Sequence, residues 1–145
     1  NSLANDILAT TEKLLVPGAI RSLADEPLDN YISEYHENLD KKDRNHPYQG
    51  IYIGDEDSKR KPAYHNGTAW TWPFPSFAEA LLITHGSEVT SHARALLGSA
   101  SLLLENGCIG HIPEILDGDT PHSQRGCAAQ AWGATELYRV WCLTG

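Results

Sequence analysis

Four stretches of the chain repeat their apolar residues at the spacing of one helix face. The first runs from Leu3 to Leu15, where Ala4, Ile7, Leu8, Thr11, Leu14 and Leu15 recur at that period. Pro17-Gly18 ends it. The second runs from Phe74 to Thr84, with Phe74, Phe77, Ala78, Leu81 and Leu82 together. Ser76 and Glu79 have the spacing of a capping box near its start, and Gly86 follows as a stop. A third pattern extends from about Glu88 to Glu105 on Val89, His92, Ala93, Leu96, Leu97, Ala100, Leu103 and Leu104, closed by Gly107. The fourth covers about Gly126 to Cys142, with Ala129, Trp132, Gly133, Leu137, Val140 and Trp141 on one side. Strand alternation is weak throughout, and Ile51-Tyr52-Ile53 is the one candidate for a short strand. The pattern therefore predicts an all-α chain.

Two irregular stretches lie between these helices, from about Leu28 to Thr71 and from Cys108 to Arg125. The first is polar and rich in Asp, Asn, Lys and Tyr. Loops of that length are uncommon in compact domains and usually functional when ordered. Both stretches are denser in His, Trp, Glu and Asp than the helices, which predicts helices as scaffold and loops as site. No repeat, low-complexity tract or domain boundary interrupts the 145 residues, so they read as one segment.

Composition narrows the function. The chain is 41% hydrophobic and 21% charged, as globular proteins are. A net charge of −8 makes nucleic acid and anionic membranes poor partners, while a neutral sugar fits it. No run reaches the roughly 18 apolar residues of a membrane span. The start, Asn1 to Asp6, lacks the basic and apolar regions of a signal peptide. Cys108, Cys127 and Cys142 are too few and too irregularly spaced for a disulfide framework. Reduced, mostly buried thiols in a cytoplasmic protein are the expectation. There is no methionine, so the chain is expected to be a processed product or part of something longer. None of the seven histidines stands in HExxH or similar zinc spacing, and no metal or cofactor is expected.

Three constellations carry candidate chemistry. Tyr64 to Trp72, just before Pro73, packs two tryptophans, a tyrosine and a histidine into nine residues. Sugar rings present apolar C–H faces and hydroxyl edges, which aromatic platforms beside amide and imidazole groups suit. The alternative is that Trp70 and Trp72 are core. Gly110 to Asp119 sets Glu114 among apolar neighbours, surroundings that favour proton uptake and so suit a general base. Asp117-Gly118-Asp119 reads as a turn and lacks the ligand spacing of a calcium loop. Pro121 to Trp132 offers Arg125 as the partner of a nearby carboxylate. It also sets Gln130 and Trp132 in the first turns of the last helix, although the residues alone favour the alternative, Arg125 as a surface ion pair and Trp132 as core.

These residues resemble a known family. Tyr64 to Trp72, YHNGTAWTW, followed by Phe77-Ala78-Glu79-Ala80, is similar to a signature of bacterial glycogen debranching enzymes, the amylo-α-1,6-glucosidase type of glycoside hydrolase. Gly110 to Trp132 resembles their I-P-E-x-x-D-G-D…P-H-x-x-R-G-C-x-x-Q-A-W run, and Leu14 to Leu23 the segment that precedes both. The likeness covers most of the chain and is weakest from Asp29 to Asn45.

The resemblance implies an (α/α)6 toroid, of which residues 1–145 would supply about four helices at the C-terminal end, an incomplete barrel. It implies inverting hydrolysis of α-1,6-linked glucose at a branch point of glycogen or a related α-glucan. Glu114 matches the general base, and the general acid belongs to a segment upstream of anything matched here. His65, Trp70 and Trp72 match residues expected to line the glucose subsite, Gln130 and Trp132 the helix start behind it, and Arg125 a structural position. Thr71 stands where proline is common between the tryptophans. The partners implied are the glucan and the missing N-terminal part of the same polypeptide. Apolar faces left uncovered on four helices would promote self-association. Two rivals remain: another (α/α)6 glycosidase acting on α-mannosides, α,α-trehalose or glucosylated oligosaccharides, and a non-catalytic carbohydrate-binding domain.

Overall fold

The computed structural model describes residues 2–28 and 45–145. The first part of the polar stretch, residues 29–44, lies outside them. The class is mainly α, as expected. The helices are α1 (Ser2–Glu12), α2 (Lys61–His65), α3 (Phe74–His85), α4 (Thr90–Gly98), α5 (Ser101–Glu105) and α6 (Ala131–Leu143). A π-helical turn at Glu56–Arg60 leads into α2, and a 3-10 turn at Gly86–Val89 joins α3 to α4.

A small antiparallel sheet accompanies them, with strands β1 (Leu15–Val16), β2 (Ala19–Arg21), β3 (Ala69–Trp70), β4 (Ile115–Leu116) and β5 (Gln124–Arg125) in chain order. The pattern of apolar residues does not predict it, because strands of two or three residues are too short to show alternation. Ile51-Tyr52-Ile53, the expected strand, forms none. Pro17-Gly18 has a different role from the one expected. The first helix already ends at Glu12, and Pro17-Gly18 turns the β1–β2 hairpin with Gly18 at φ 76. Pro followed by a positive-φ Gly is the pair favoured at the centre of a type II turn.

α3 is the central helix and packs against α1, α4 and α6. Its first turn holds Pro75, a residue tolerated there because the N–H it lacks would have no helical partner anyway. The expected capping box is absent. Ser76 lies inside the helix, no side chain caps its start, and the Glu79 carboxylate pairs with Arg139 of α6 instead. The expected third helix is broken after Gly98 into α4 and α5, and the fourth begins at Ala131 rather than Gly126.

The core has two parts. Ala78, Ala93, Leu97 and Val140 join α3, α4 and α6. Val16, Ala19, Ala69, Leu103, Ile112 and Leu116 join the sheet to α5 and the loop before β4. Leu137 of α6 packs against both. Gly133 lets α6 come close to the sheet, since a Cβ there would meet Ile112 and Thr71 at 2.9 Å. That approach carries Trp132 to the loop that holds Trp72. None of the described helices is long and apolar enough to cross a membrane.

Candidate active site

β3 and β4 bring the two long motifs side by side. Trp70 pairs with Ile115 and Ala69 with Leu116. One residue further on, Thr71 is buried and donates its hydroxyl to the Pro113 carbonyl at 2.7 Å and its N–H to the Glu114 carbonyl at 3.4 Å. A proline at this position would offer neither donor. Thr71 thus ties the aromatic loop directly to the segment that carries Glu114 into β4.

His65, Trp70, Trp72 and Trp132 line one open cavity of about 440 Å³, together with Ile20, Arg21, Ser22 and Pro73. Trp72 and Trp132 stack with ring centroids 5.3 Å apart and are 40% and 46% exposed. Neither is core, and Trp70 is half-buried on β3. Gln130 is not in the cavity wall. Its backbone N–H donates to the Ile112 carbonyl at 2.9 Å, and its side-chain oxygen accepts from the Trp132 indole N–H. Gln130 therefore orients the wall instead of forming it.

Glu114 does not line the cavity either. It is half-buried, and both carboxylate oxygens are engaged. Oε1 accepts from the Tyr64 hydroxyl at 2.5 Å, and Oε2 accepts from the backbone N–H of Cys127 at 2.9 Å. The second contact needs a close approach of the following loop. Gly126 permits it at φ 67, where a Cβ would stand 2.5 Å from Glu114 Oε2. Glu114 is linked to the cavity by Tyr64, whose ring meets Trp70 edge-on at 4.5 Å and His65 at 5.3 Å. The Tyr64 carbonyl also accepts from the Trp70 indole N–H at 3.2 Å and from the Thr68 hydroxyl at 3.0 Å. Burial, and then the neighbouring Glu114, push the Tyr64 phenol up to about 12 from 10.0. It is a hydrogen-bond donor at any ordinary pH.

Behind this cluster, Asp117 is buried at 2% exposure and its carboxylate takes three hydrogen bonds. Arg125 Nε and Nη2 reach its Oδ2 at 3.0 and 2.8 Å, and the Tyr52 N–H reaches Oδ1 at 2.8 Å. Asp119 accepts from the Tyr48 hydroxyl at 2.8 Å. The Asp-Gly-Asp turn is thus committed to internal partners. Among the described residues, no group of three or more His, Cys, Asp or Glu is arranged to hold a metal ion. The cysteines are free, but Cys127 and Cys142 are exposed and only Cys108 is half-buried, against the expectation of mostly buried thiols.

Sequence reading missed Tyr64 as a functional residue, although it opens the first motif. It also missed Arg21 and Ser22, which reach the cavity because β2 pairs with β3. The signal for these two was their place in the matched Leu14–Leu23 segment. The Cys127 N–H has no side-chain signal at all.

No curated protein and no solved structure matches the chain. The family described as amylo-alpha-1,6-glucosidase matches it over residues 2–139. That span takes in the aromatic loop, Glu114 and the start of α6, and the chain belongs to this glycoside-hydrolase-related family.

Proposed function

We propose that this chain forms part of an inverting glucosidase that removes α-1,6-linked glucose at branch points of glycogen or a related α-glucan. The observation that carries the reading is the gathering of His65, Trp70, Trp72 and Trp132 around one cavity, with Glu114 one side chain away. The aromatic faces suit the C–H faces of a glucose ring, and His65 and Ser22 suit its hydroxyls. Glu114 is the general base. It takes a proton from a water whose oxygen attacks the anomeric carbon. The glycosidic C–O bond breaks on the opposite side, and a general acid protonates the departing oxygen. Inversion sets the two carboxyl groups about 6.5–9.5 Å apart. The resemblance assigns the acid to a segment upstream of anything matched here, and residues 1–145 would then be the C-terminal part of a toroid and inactive alone.

The test is glucose release from a glucosyl-branched α-glucan by residues 1–145, by the full-length polypeptide and by its Glu114→Gln variant. We expect activity in the full-length protein alone and a loss of about 10²–10⁴-fold in the variant, the usual worth of general base catalysis. Turnover by residues 1–145 sinks the half-site reading, and unchanged turnover in the variant sinks the base. Glu114 stands outside the cavity wall, and this favours a second reading, a carbohydrate-binding domain with no use for the carboxylate. Under that reading Glu114→Gln leaves both glucan binding and turnover intact.

The partners proposed are the glucan, the rest of the polypeptide and, for residues 1–145 alone, a second copy, in a cytoplasmic setting. Ile109, Tyr138 and Leu143 expose most of their surface, and faces of this kind promote association. Sedimentation is expected to show dimers or larger species, and a clean monomer at high concentration counts against it.

A further inference from the structure

We propose that Tyr64 is the positioning residue for Glu114, holding its carboxylate in a fixed orientation against the aromatic wall of the cavity. The inference rests on the reading of Glu114 as general base and concerns what aims it. A glutamate side chain has three rotatable bonds, and a base must present a lone pair within hydrogen-bond reach of the attacking water. Two donors from different parts of the chain restrain this one. The Tyr64 hydroxyl, at the end of α2, holds Oε1 at 2.5 Å, and the Cys127 N–H, in the loop before α6, holds Oε2 at 2.9 Å.

Tyr64 is itself fixed on several sides. Its ring packs against Tyr52, His65 and Trp70, and its carbonyl takes the Trp70 indole N–H. A single residue thus sets the relative place of the carboxylate and of Trp70, which lines the cavity. Each carboxylate oxygen keeps a lone pair for the water, since an ionised carboxylate offers about four acceptor sites and two are taken. A phenylalanine would preserve the ring contacts and remove the hydroxyl that aims the base.

The experiment is Tyr64→Phe in the full-length enzyme, assayed for kcat and KM on a glucosyl-branched α-glucan. Tyr52→Phe is the control, a hydroxyl removed beside the same ring cluster that makes no hydrogen bond to Glu114. We expect Tyr64→Phe to lower kcat by about 10- to 100-fold with KM nearly unchanged, the signature of a displaced catalytic group. Tyr52→Phe should behave as wild type. Because Tyr64 would act through Glu114, adding Tyr64→Phe to Glu114→Gln should cost almost nothing further.

An unchanged kcat in Tyr64→Phe, a rise in KM alone, or a full additional loss on the Glu114→Gln background overturns the proposal. Full activity of Glu114→Gln overturns instead the reading it rests on. Should Tyr64→Phe not fold, the wild-type protein supplies the test. The Tyr64 hydroxyl proton is expected as a far-downfield magnetic resonance that Glu114→Gln removes. Absence of that resonance in wild type overturns the proposal equally.

Discussion

The sheet side and the helix side of this molecule each hold an arginine against carboxylates, in opposite surroundings. On the sheet side, Arg125 meets Asp117, whose carboxylate is buried and takes a third hydrogen bond from the Tyr52 backbone. On the helix side, Arg139 of α6 grips Glu79 of α3 at 2.9 and 2.6 Å and Glu136 one turn away, with all three side chains in reach of water. Hydrogen bonds from Arg139 hold both glutamates below their ordinary carboxylate range. The same chemistry serves different ends. The buried pair is a condition of the loop's shape beside Glu114. The exposed network fastens α3 to α6, whose Ala78 and Val140 already share an apolar cluster with Leu97 of α4.

The sharpest way to break this comparison is to delete each arginine in turn. Arg125→Ala leaves Asp117 charged, buried and short of two donors, and should destabilise the fold by about 3–5 kcal/mol, measured by denaturant unfolding. Arg139→Ala leaves glutamates that water can solvate, and its effect should be far smaller and shrink further in high salt. The sign of its pH dependence follows from the lowered glutamates. Their contribution is present above the ordinary carboxylate pKa and disappears as pH falls through the folded values. Equal losses from the two variants would mean that burial does not separate the regions.

The two regions also differed in how legible they were. The helix side follows from apolar spacing, because α3, α4 and α6 are long enough to repeat a face. α3 matches its expected range to within a residue, and Gly86 closes it. The sheet side did not follow. Its strands of two or three residues carry no period, and its positions are set by partners far along the chain, such as Thr71 against Pro113. For the site, residue types and order in the motifs pointed to His65, Trp70, Trp72 and Trp132, and these four share one cavity. The Tyr64–Glu114 contact and the role of Gln130 depend on side-chain geometry across 50 and 2 residues, which composition does not encode.

A gentler probe sharpens the comparison from within the sheet side, using the phenols as reporters. Tyr48 and Tyr64 are each pushed up to about 12 from 10.0, in both cases by burial first and then by hydrogen bonds to Asp119 and Glu114. Rapid alkaline titration of the folded chain by ultraviolet absorbance should therefore show Tyr48 and Tyr64 as late phenols. Tyr64→Phe should remove one of them, and Glu114→Asn should bring one down. The sign for stability is the reverse of that on the helix side. Both phenols keep their protons in the folded chain at pH values where the unfolded chain loses them. Their contribution is complete below pH 10 and lost as pH rises through about 12. The sheet side should thus be weakened first by alkali and the Arg139 network first by acid. A chain whose late phenols persisted after Glu114→Asn and Asp119→Asn would owe those shifts to burial alone, and the hydrogen bonds would then have no part in keeping Tyr64 a donor.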